Sequence, residues 1–410
     1  MNKSSVKEVD ENEVLKAINK LKIYRSPGPE QLTNEIIKLA APIIAPALSY
    51  LFNLVLETSE VPKQWTESNI ILLYKKGNPN DIGNYRPISL MSNIYKLFSS
   101  ILEKRISEKI ENIQPPEQAG FRKGFSTIDH IHTLEQIIEK HLEFNNELYI
   151  AFIDYTKAFD SISHLAIWES LNENYIEKTY IDVLKNIYTR SMSRVQLERT
   201  GPEIQIERGV RQGDPISPKL FISVLETIIG KLKWDKEGIY INGKYLHHLR
   251  FADDIVLLAK NSSNLEKQIH ALHEASKEVG LIMNLTKTKI MTNGRRIPIE
   301  IDESPLEYVD NYIYLGKRVS LSPNHDEEEV DRRVKITWKK FWHLQEIFKS
   351  DLPVKYKKKV MDSCLLPTLT YACQTWKMTN KIKTKIKTCQ RAIERNIMKI
   401  KKFKEYRTKK

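Results

Sequence analysis

Two adjacent carboxylates interrupt a strongly apolar run, Arg250-Phe251-Ala252-Asp253-Asp254-Ile255-Val256-Leu257-Leu258-Ala259. Apolar residues lie on both sides of the pair, and the aliphatic stretch is short and continuous, which predicts a tight β-hairpin with the acids at its tip. Like charges about 4 Å apart repel by about 4 kcal/mol at an effective dielectric of about 20, before desolvation is counted. A chain that folds this way must supply a counter-charge, and hard carboxylate oxygens are the usual ligands of a divalent cation. A surface turn accommodates the same pair, so the remaining stretches decide between the two.

The chain of 410 residues is 41% hydrophobic, enough to build extensive cores and incompatible with a disordered protein. Its cysteines, Cys364, Cys373 and Cys389, form no C-x-x-C pair, which argues against a disulfide framework or zinc ribbon and for a reducing, intracellular compartment, nucleus or cytoplasm. Met1 to Val14 has no apolar core and is neither a signal peptide nor an anchor. Leu39 to Leu56 is apolar but interrupted by Pro42, Pro46, Ser49 and Asn53, so it predicts a buried helix with a proline-broken start and no membrane span. The net charge of +13 is polarised: Asp331 to Lys410 holds 24 Lys and Arg against 6 Asp and Glu, a net of +18, and the rest of the chain is −5. Such a segment is a solvated helix face or a polyanion-contacting surface, and its density favours nucleic acid.

Taken in order, Glu13–Ile23, Leu32–Ala40 and Pro46–Thr58 have helical spacing, with the turn Ser26-Pro27-Gly28-Pro29 between the first two. A strand, Ser68–Tyr74, runs into a loop that closes on Tyr85-Arg86-Pro87-Ile88-Ser89-Leu90, followed by a helix Tyr95–Ile113. Lys75, Lys76 and Arg86 flank this loop and suit a triphosphate, Arg by its bidentate fork and Lys as a point charge, although a solvated loop reads equally well. Gln118 to Thr127 is a basic loop in which Phe121 and Phe125 bracket Arg122 and Lys123, a pattern for stacked bases and phosphates, before a helix His130–Phe144 with structural histidines. Leu148–Ile153 is the strongest strand signal, and Asp154 ends it where a helix opens at Tyr155; this is a usual position for a metal ligand and also for a helix cap. Gly209 to Pro218 is a glycine-flanked loop entering a helix Lys219–Leu232, in which Gly213 permits close approach to a ligand and Gln212 can hydrogen-bond it. A helix Asn264–Val279, the segment Gly280–Ile290, a short strand Tyr312–Gly316 and a basic helical bundle broken at Pro353 and Pro367 complete the chain.

These stretches resemble the reverse transcriptases of non-LTR (LINE-type) retrotransposons. Phe152-Ile153-Asp154-Tyr155-Thr156-Lys157-Ala158-Phe159-Asp160 resembles the family's first catalytic motif, Gly209 to Pro218 its second, and Phe251-Ala252-Asp253-Asp254 its third. Gly280 to Lys289 and Tyr314-Leu315-Gly316 resemble the two that follow, and Asn84 to Leu90 the fingers motif, all in the family's order over residues 20 to 320.

The resemblance implies an α+β right-hand polymerase: mainly fingers over 1–147, a palm with interleaved fingers elements over 148–320, and a basic helical thumb over 321–410. It implies an RNA-directed DNA polymerase that uses two Mg²⁺ ions, or Mn²⁺ in their place, to extend a DNA primer on an RNA template with dNTPs. Asp154, Asp253 and Asp254 would form the metal site; alternation along a strand makes the last two inequivalent, with Asp253 the direct ligand and Asp254 supporting. Phe159 would exclude the ribose 2′-hydroxyl. Gln212 and Gly213 would line the nucleotide, Arg86 with Lys75 or Lys76 would hold its triphosphate, and Lys287 or Lys289 would protonate pyrophosphate. Arg122 would meet the template, and Tyr314, Leu315 and Gly316 the primer.

The chain departs from the family in lacking an endonuclease and a Cys/His knuckle, which points to a partial element, and in Glu30 standing where Asp is usual. The rivals are a catalytically inactive RNA-binding relic, which poly(rA)/oligo(dT) extension separates, and a group II intron-type or RNA-templated RNA polymerase, which dNTP against NTP preference separates.

Overall fold

In the computed structural model, which describes residues 6–234 and 236–400, the run that reads as the strongest strand becomes Tyr149–Ile153, the centre of a sheet. All five of its residues are buried because both faces are covered: Ala151 and Ile153 enter the main core, Ile150 and Phe152 a second one. Burial on both sides explains why the run is continuously apolar rather than alternating. The sheet order is Glu307–Tyr308, Lys289–Thr292, Tyr149–Ile153, Asp254–Ala259, His248–Phe251. Its last two strands are the predicted hairpin, antiparallel from His248–Leu257 to Phe251–Asp254. The chain reverses through Ala252 and Asp253, with Ala252 at φ +58°, the left-handed backbone such tight turns require.

A second sheet, in the order Tyr85–Met91, Glu67–Tyr74, Met192–Gln196, Thr200–Gln205, draws together segments distant in sequence. The stretch expected only to close a loop is thus a strand, zipped antiparallel to Glu67–Tyr74 from Ser68–Met91 to Tyr74–Tyr85. Helices Asn93–Ile113, Ser217–Lys231 and His164–Glu173 pack beside the sheets, and Leu97, Phe98, Leu220 and Ile167 all lie in the main core. Asp214, at the foot of Ser217–Lys231, accepts hydrogen bonds from Tyr95 (2.5 Å) and Ser99 and so joins two of these helices. Glu30 accepts the Asn93 N–H at 2.7 Å, tying the Pro-Gly-Pro turn to the start of Asn93–Ile113.

Three local expectations are corrected. Ala41–Thr58 is one helix that continues through Pro46 at the loss of one internal hydrogen bond, and it is amphipathic rather than buried: Ala45, Phe52 and Val55 face the core while Ile43 and Tyr50 are exposed. By length and composition alone this helix is apolar enough to cross a membrane. No helix opens at Tyr155, which instead bridges to Met283, and Lys157 takes φ +46° before the four-residue helix Ala158–Ser161. Pro367 does not break the last segment. Val354–Val360 passes through a π-turn, Met361–Leu365, into Leu366–Leu369, where Pro367 sits at a first-turn position that needs no N–H donor.

The helices His325–His343 and Asn380–Ile397 enclose a separate core of Phe341, Phe348, Leu365, Leu369 and Ile393. Residues 401–410, which carry part of the basic charge, lie outside the described residues.

Candidate active site

The hairpin tip and the end of the central strand meet. Ile153 pairs with Ile255, so one step further the same register sets Asp154 across from Asp254, with Asp253 in the turn beside them. Burial raises the Asp253 carboxyl above the ordinary range and the charge of Asp154 adds to this, while its own backbone amide, Lys75 and Arg86 oppose it. Asp254, the more exposed of the pair, is pushed up to about 6 by the surrounding protein and then by Asp253 and Asp154. Asp154 Oδ2 is buried and accepts no hydrogen bond, and Lys287 Nζ stands 3.6 Å from it. Mutually repelling carboxylates with an orphaned oxygen are the donor set that a divalent cation fits.

Lys75 acts on both hairpin acids and Arg86 on Asp253, while the charges of Asp154 and Asp254 reach Tyr312, whose hydroxyl is pushed up to about 12, first by burial. Tyr312 lies flat on Phe152, with ring centroids 4.2 Å apart.

The strand Tyr85–Met91 and its partner deliver the cations. Leu73 pairs with Arg86, and Lys75 donates its N–H to Asn84 O at 2.9 Å, which turns the loop Lys75–Asn84 over the acids. Burial holds the Lys75 ammonium below its usual range, and Arg86, Lys76 and Lys287 act in the same direction. Lys75 is therefore within electrostatic reach of Arg86, Lys76, Lys287 and Asp154, and Asp253 within reach of Lys75 and Arg86. Lys289, the other candidate at pyrophosphate, is committed elsewhere, to Glu307 and to Thr286 O, each at 2.6 Å.

Gln212 and Gly213 lie against the same strand. Ser89 donates its N–H to Gln212 O at 2.9 Å, and a Cβ on Gly213 (φ +109°) would stand 3.1 Å from Ser89 O, so the glycine is demanded by neighbouring backbone. The Gln212 side chain is not free: its Nε2 donates to Asp160 Oδ1 at 2.7 Å. The sequence places Asp160 at the end of the first motif but gives no sign of its bond to Gln212, distant in the chain. Phe159 stacks on Phe221 at 4.3 Å and meets the edge of Phe121 at 6.0 Å, which fixes its ring beside the acids' strand.

Of the residues expected at nucleic acid, Arg122 is half-buried, donates to Pro115 O at 3.0 Å and lies 4.5 Å over the Phe125 ring. Tyr314 is a correction: it is 3% exposed and packs near Phe152, so of that trio only Leu315 and Gly316 reach the surface. Tyr312 was missed because it shares a strand face with Tyr314, both rings packing on Phe152, and only its smaller degree of burial, which alternation does not encode, sets it apart.

Residues 73–319 match the family described as reverse transcriptase (RNA-dependent DNA polymerase). The chain belongs to the reverse transcriptase family. Its fold is accordingly the α+β right hand that the motifs implied, and divalent metal chemistry is general to that family. It is 27% identical over 304 residues to a Pol polyprotein from the type-1 retrotransposable element R2 of Nasonia vitripennis, covering 70% of this chain and 29% of that protein. It is 28% identical over 393 residues to a probable RNA-directed DNA polymerase from transposon BS of Drosophila melanogaster, covering 90% of this chain and 42% of that one. The chain thus spans less than half the length of these relatives, which are mobile-element proteins as the motif resemblance implied. Among solved structures, the telomerase of Candida albicans in complex with a fragment of telomeric RNA aligns with TM-score 0.49 at 11% identity, over 88% of this chain and 71% of that one.

Proposed function

We propose that this chain is an RNA-directed DNA polymerase of non-LTR retrotransposon origin, extending a DNA primer on an RNA template with dNTPs. The observation that carries the reading is that three carboxylates, Asp154, Asp253 and Asp254, act on one another and on Lys75, with Arg86 acting on Asp253, Lys76 on Lys75 and Lys287 standing 3.6 Å from Asp154. Acids that repel one another suit metal, and cations that crowd one another suit a polyphosphate; a nucleoside triphosphate with its ions satisfies both.

Asp154 and Asp253 would hold the ion pair, Mg²⁺ with Mn²⁺ as substitute, and Asp254 would support them from the side of Tyr312. Bound there, the ions would lower the pKa of the primer 3′-hydroxyl and neutralise charge on the leaving pyrophosphate. Arg86 and Lys75, with Lys76, hold the triphosphate. Lys287 Nζ, beside Asp154 Oδ2, is the proton donor to pyrophosphate in preference to Lys289. Phe159, wedged between Phe221 and Phe121, cannot yield to a 2′-hydroxyl, and Asp160 fixes the amide of Gln212 at the edge of the nucleotide site.

The reading divides the chain into mainly fingers over 1–147, palm over 148–320 and a basic thumb over 321–410, with an intracellular place of action, nuclear or cytoplasmic, that keeps the free cysteines reduced. Primer extension on poly(rA)/oligo(dT) tests it: Mg²⁺-dependent dTTP incorporation is expected. Absence of incorporation by folded protein, or preference for UTP over dTTP, would refute it.

A further inference from the structure

We propose that a buried ionic network joining the turn Tyr314–Gly316 to the helix His325–His343 positions the primer strand, with Glu329 and Arg333 as its positioning residues. The proposal rests on the reading above that Leu315 and Gly316 meet the primer.

Gly316 O accepts from both Arg332 (2.7 Å) and Arg333. Both guanidinium groups are held by Glu329, which is 0% exposed: Arg332 Nε and Arg333 Nε each donate to it at 2.6 Å, and its Oε2 also accepts the Arg318 N–H at 3.2 Å. The adjoining carbonyl, Leu315 O, accepts from the Tyr371 hydroxyl at 2.8 Å, and Arg333 lies 4.6 Å over the Tyr371 ring. Just past the turn, Lys317 is also 0% exposed; it pairs with Glu135, donates to Thr375 Oγ1 at 2.8 Å and stands 3.5 Å from Asp326. The turn is therefore gripped by side chains from three separate segments.

Burying this many charges is a poor way to gain stability, since apolar residues of similar volume commonly do as well or better. What charge-assisted bonds to a carbonyl supply is direction. They act on a turn whose backbone needs holding: Leu315 sits at φ +45°, a value L-residues rarely adopt, and Gly316 at φ +83°. The turn and the basic helical segment thus move as one body, and the grip on the primer end is set by the helices that flank it.

The double variant Glu329→Gln/Arg333→Gln removes both charges together and leaves amides able to hydrogen-bond, while Arg332, one-quarter exposed, keeps its bond to Gly316 O. With poly(rA)/oligo(dT), the KM for primer–template is expected to rise by about tenfold and products to shorten. The KM for dTTP is expected to stay within about twofold, with an unchanged thermal midpoint. Gly316→Ala serves as the companion, since it strains the turn at positive φ while leaving every charge of the network in place, its Cβ meeting the Tyr371 ring at an ordinary 3.5 Å. Impaired primer–template KM in both variants supports the proposal. Impairment in only one of them overturns it, as does a loss in the double variant shared equally by dTTP binding and thermal stability. Neither variant impaired would refute instead the reading that the turn meets the primer, and the proposal with it.

Discussion

One hairpin carries two contrasting arrangements of charge. At its base, Arg250 is fully buried and its guanidinium forms a two-pronged bond to Glu226 at 2.7 and 3.1 Å. At its tip, Asp253 and Asp254 face Asp154 with their carboxyls held above the usual range by burial and by one another. The first arrangement pairs opposite charges within the fold; the second sets like charges together. Lys317 with Glu135, and Glu329 with its two arginines, likewise set opposite charges together beside the C-terminal helices. A buried charge by itself therefore does not mark a site in this chain. Like charges set together at a partly exposed tip do.

The difference predicts opposite responses to neutralisation. Asp253→Asn should lower Mg²⁺-dependent primer extension on the order of a thousandfold, the several kcal/mol that metal-held charge contributes to the transition state, without lowering stability in chelator. Retention of near wild-type rate would erase the distinction between tip and base. Glu226→Gln should do the reverse at the base. It leaves Arg250 buried without its counter-charge, at a cost of about 3–5 kcal/mol in urea unfolding; a loss below about 1 kcal/mol would mean that the pair is no more than surface-like.

Phe159→Ala should raise ribonucleotide incorporation relative to deoxyribonucleotide by about tenfold, the discrimination expected of one steric contact in an apolar pocket. Unchanged discrimination would remove the ring from the site. His130, packed edge-on to Phe251 and near Arg250, is held down to about 4, chiefly by burial. Its folded pKa lies below the unfolded value, so the unfolded chain binds the proton more tightly and stability falls as pH drops from 6.5 toward 4. Between pH 7 and 5.5 this amounts to about 1 kcal/mol, which His130→Phe should abolish in parallel melts. Smallest of all, neutralising the exposed Lys383 or Lys387 should flatten the salt dependence of RNA binding by about 0.7–0.9 in slope for each phosphate no longer neutralised, and an unaltered slope would make the helix face a solvated one.

How much of this was legible in the sequence follows the same line. The hairpin, the central strand and the acids at their ends were readable because each is local: an apolar run of strand length, ended by a carboxylate. The convergence of Asp154 with the hairpin was implied by family resemblance and is supplied physically by the register of Ile153 with Ile255. The Asp160 bond to Gln212, the inward facing of Tyr314 and the Glu226 partner of Arg250 were not legible. Each depends on a contact between segments distant in the chain, which neither periodicity nor composition encodes. Pro46 and Pro367 misled for other reasons: at Pro46 a local rule was outweighed by the packing of Phe52 and Val55, and Pro367 falls in the first turn of a helix, where the rule does not apply.

The central claim is that the carboxylates at the tip are held together for a divalent cation. The direct measurement is the thermal midpoint of wild type and Asp253→Asn, each in chelator and across a Mg²⁺ titration at pH 7.5. The account predicts that wild type gains stability with Mg²⁺ in a saturable way, while the variant starts at an equal or higher midpoint and gains little. Equal Mg²⁺ responses in the two proteins, or a variant clearly less stable than wild type in chelator, would contradict it.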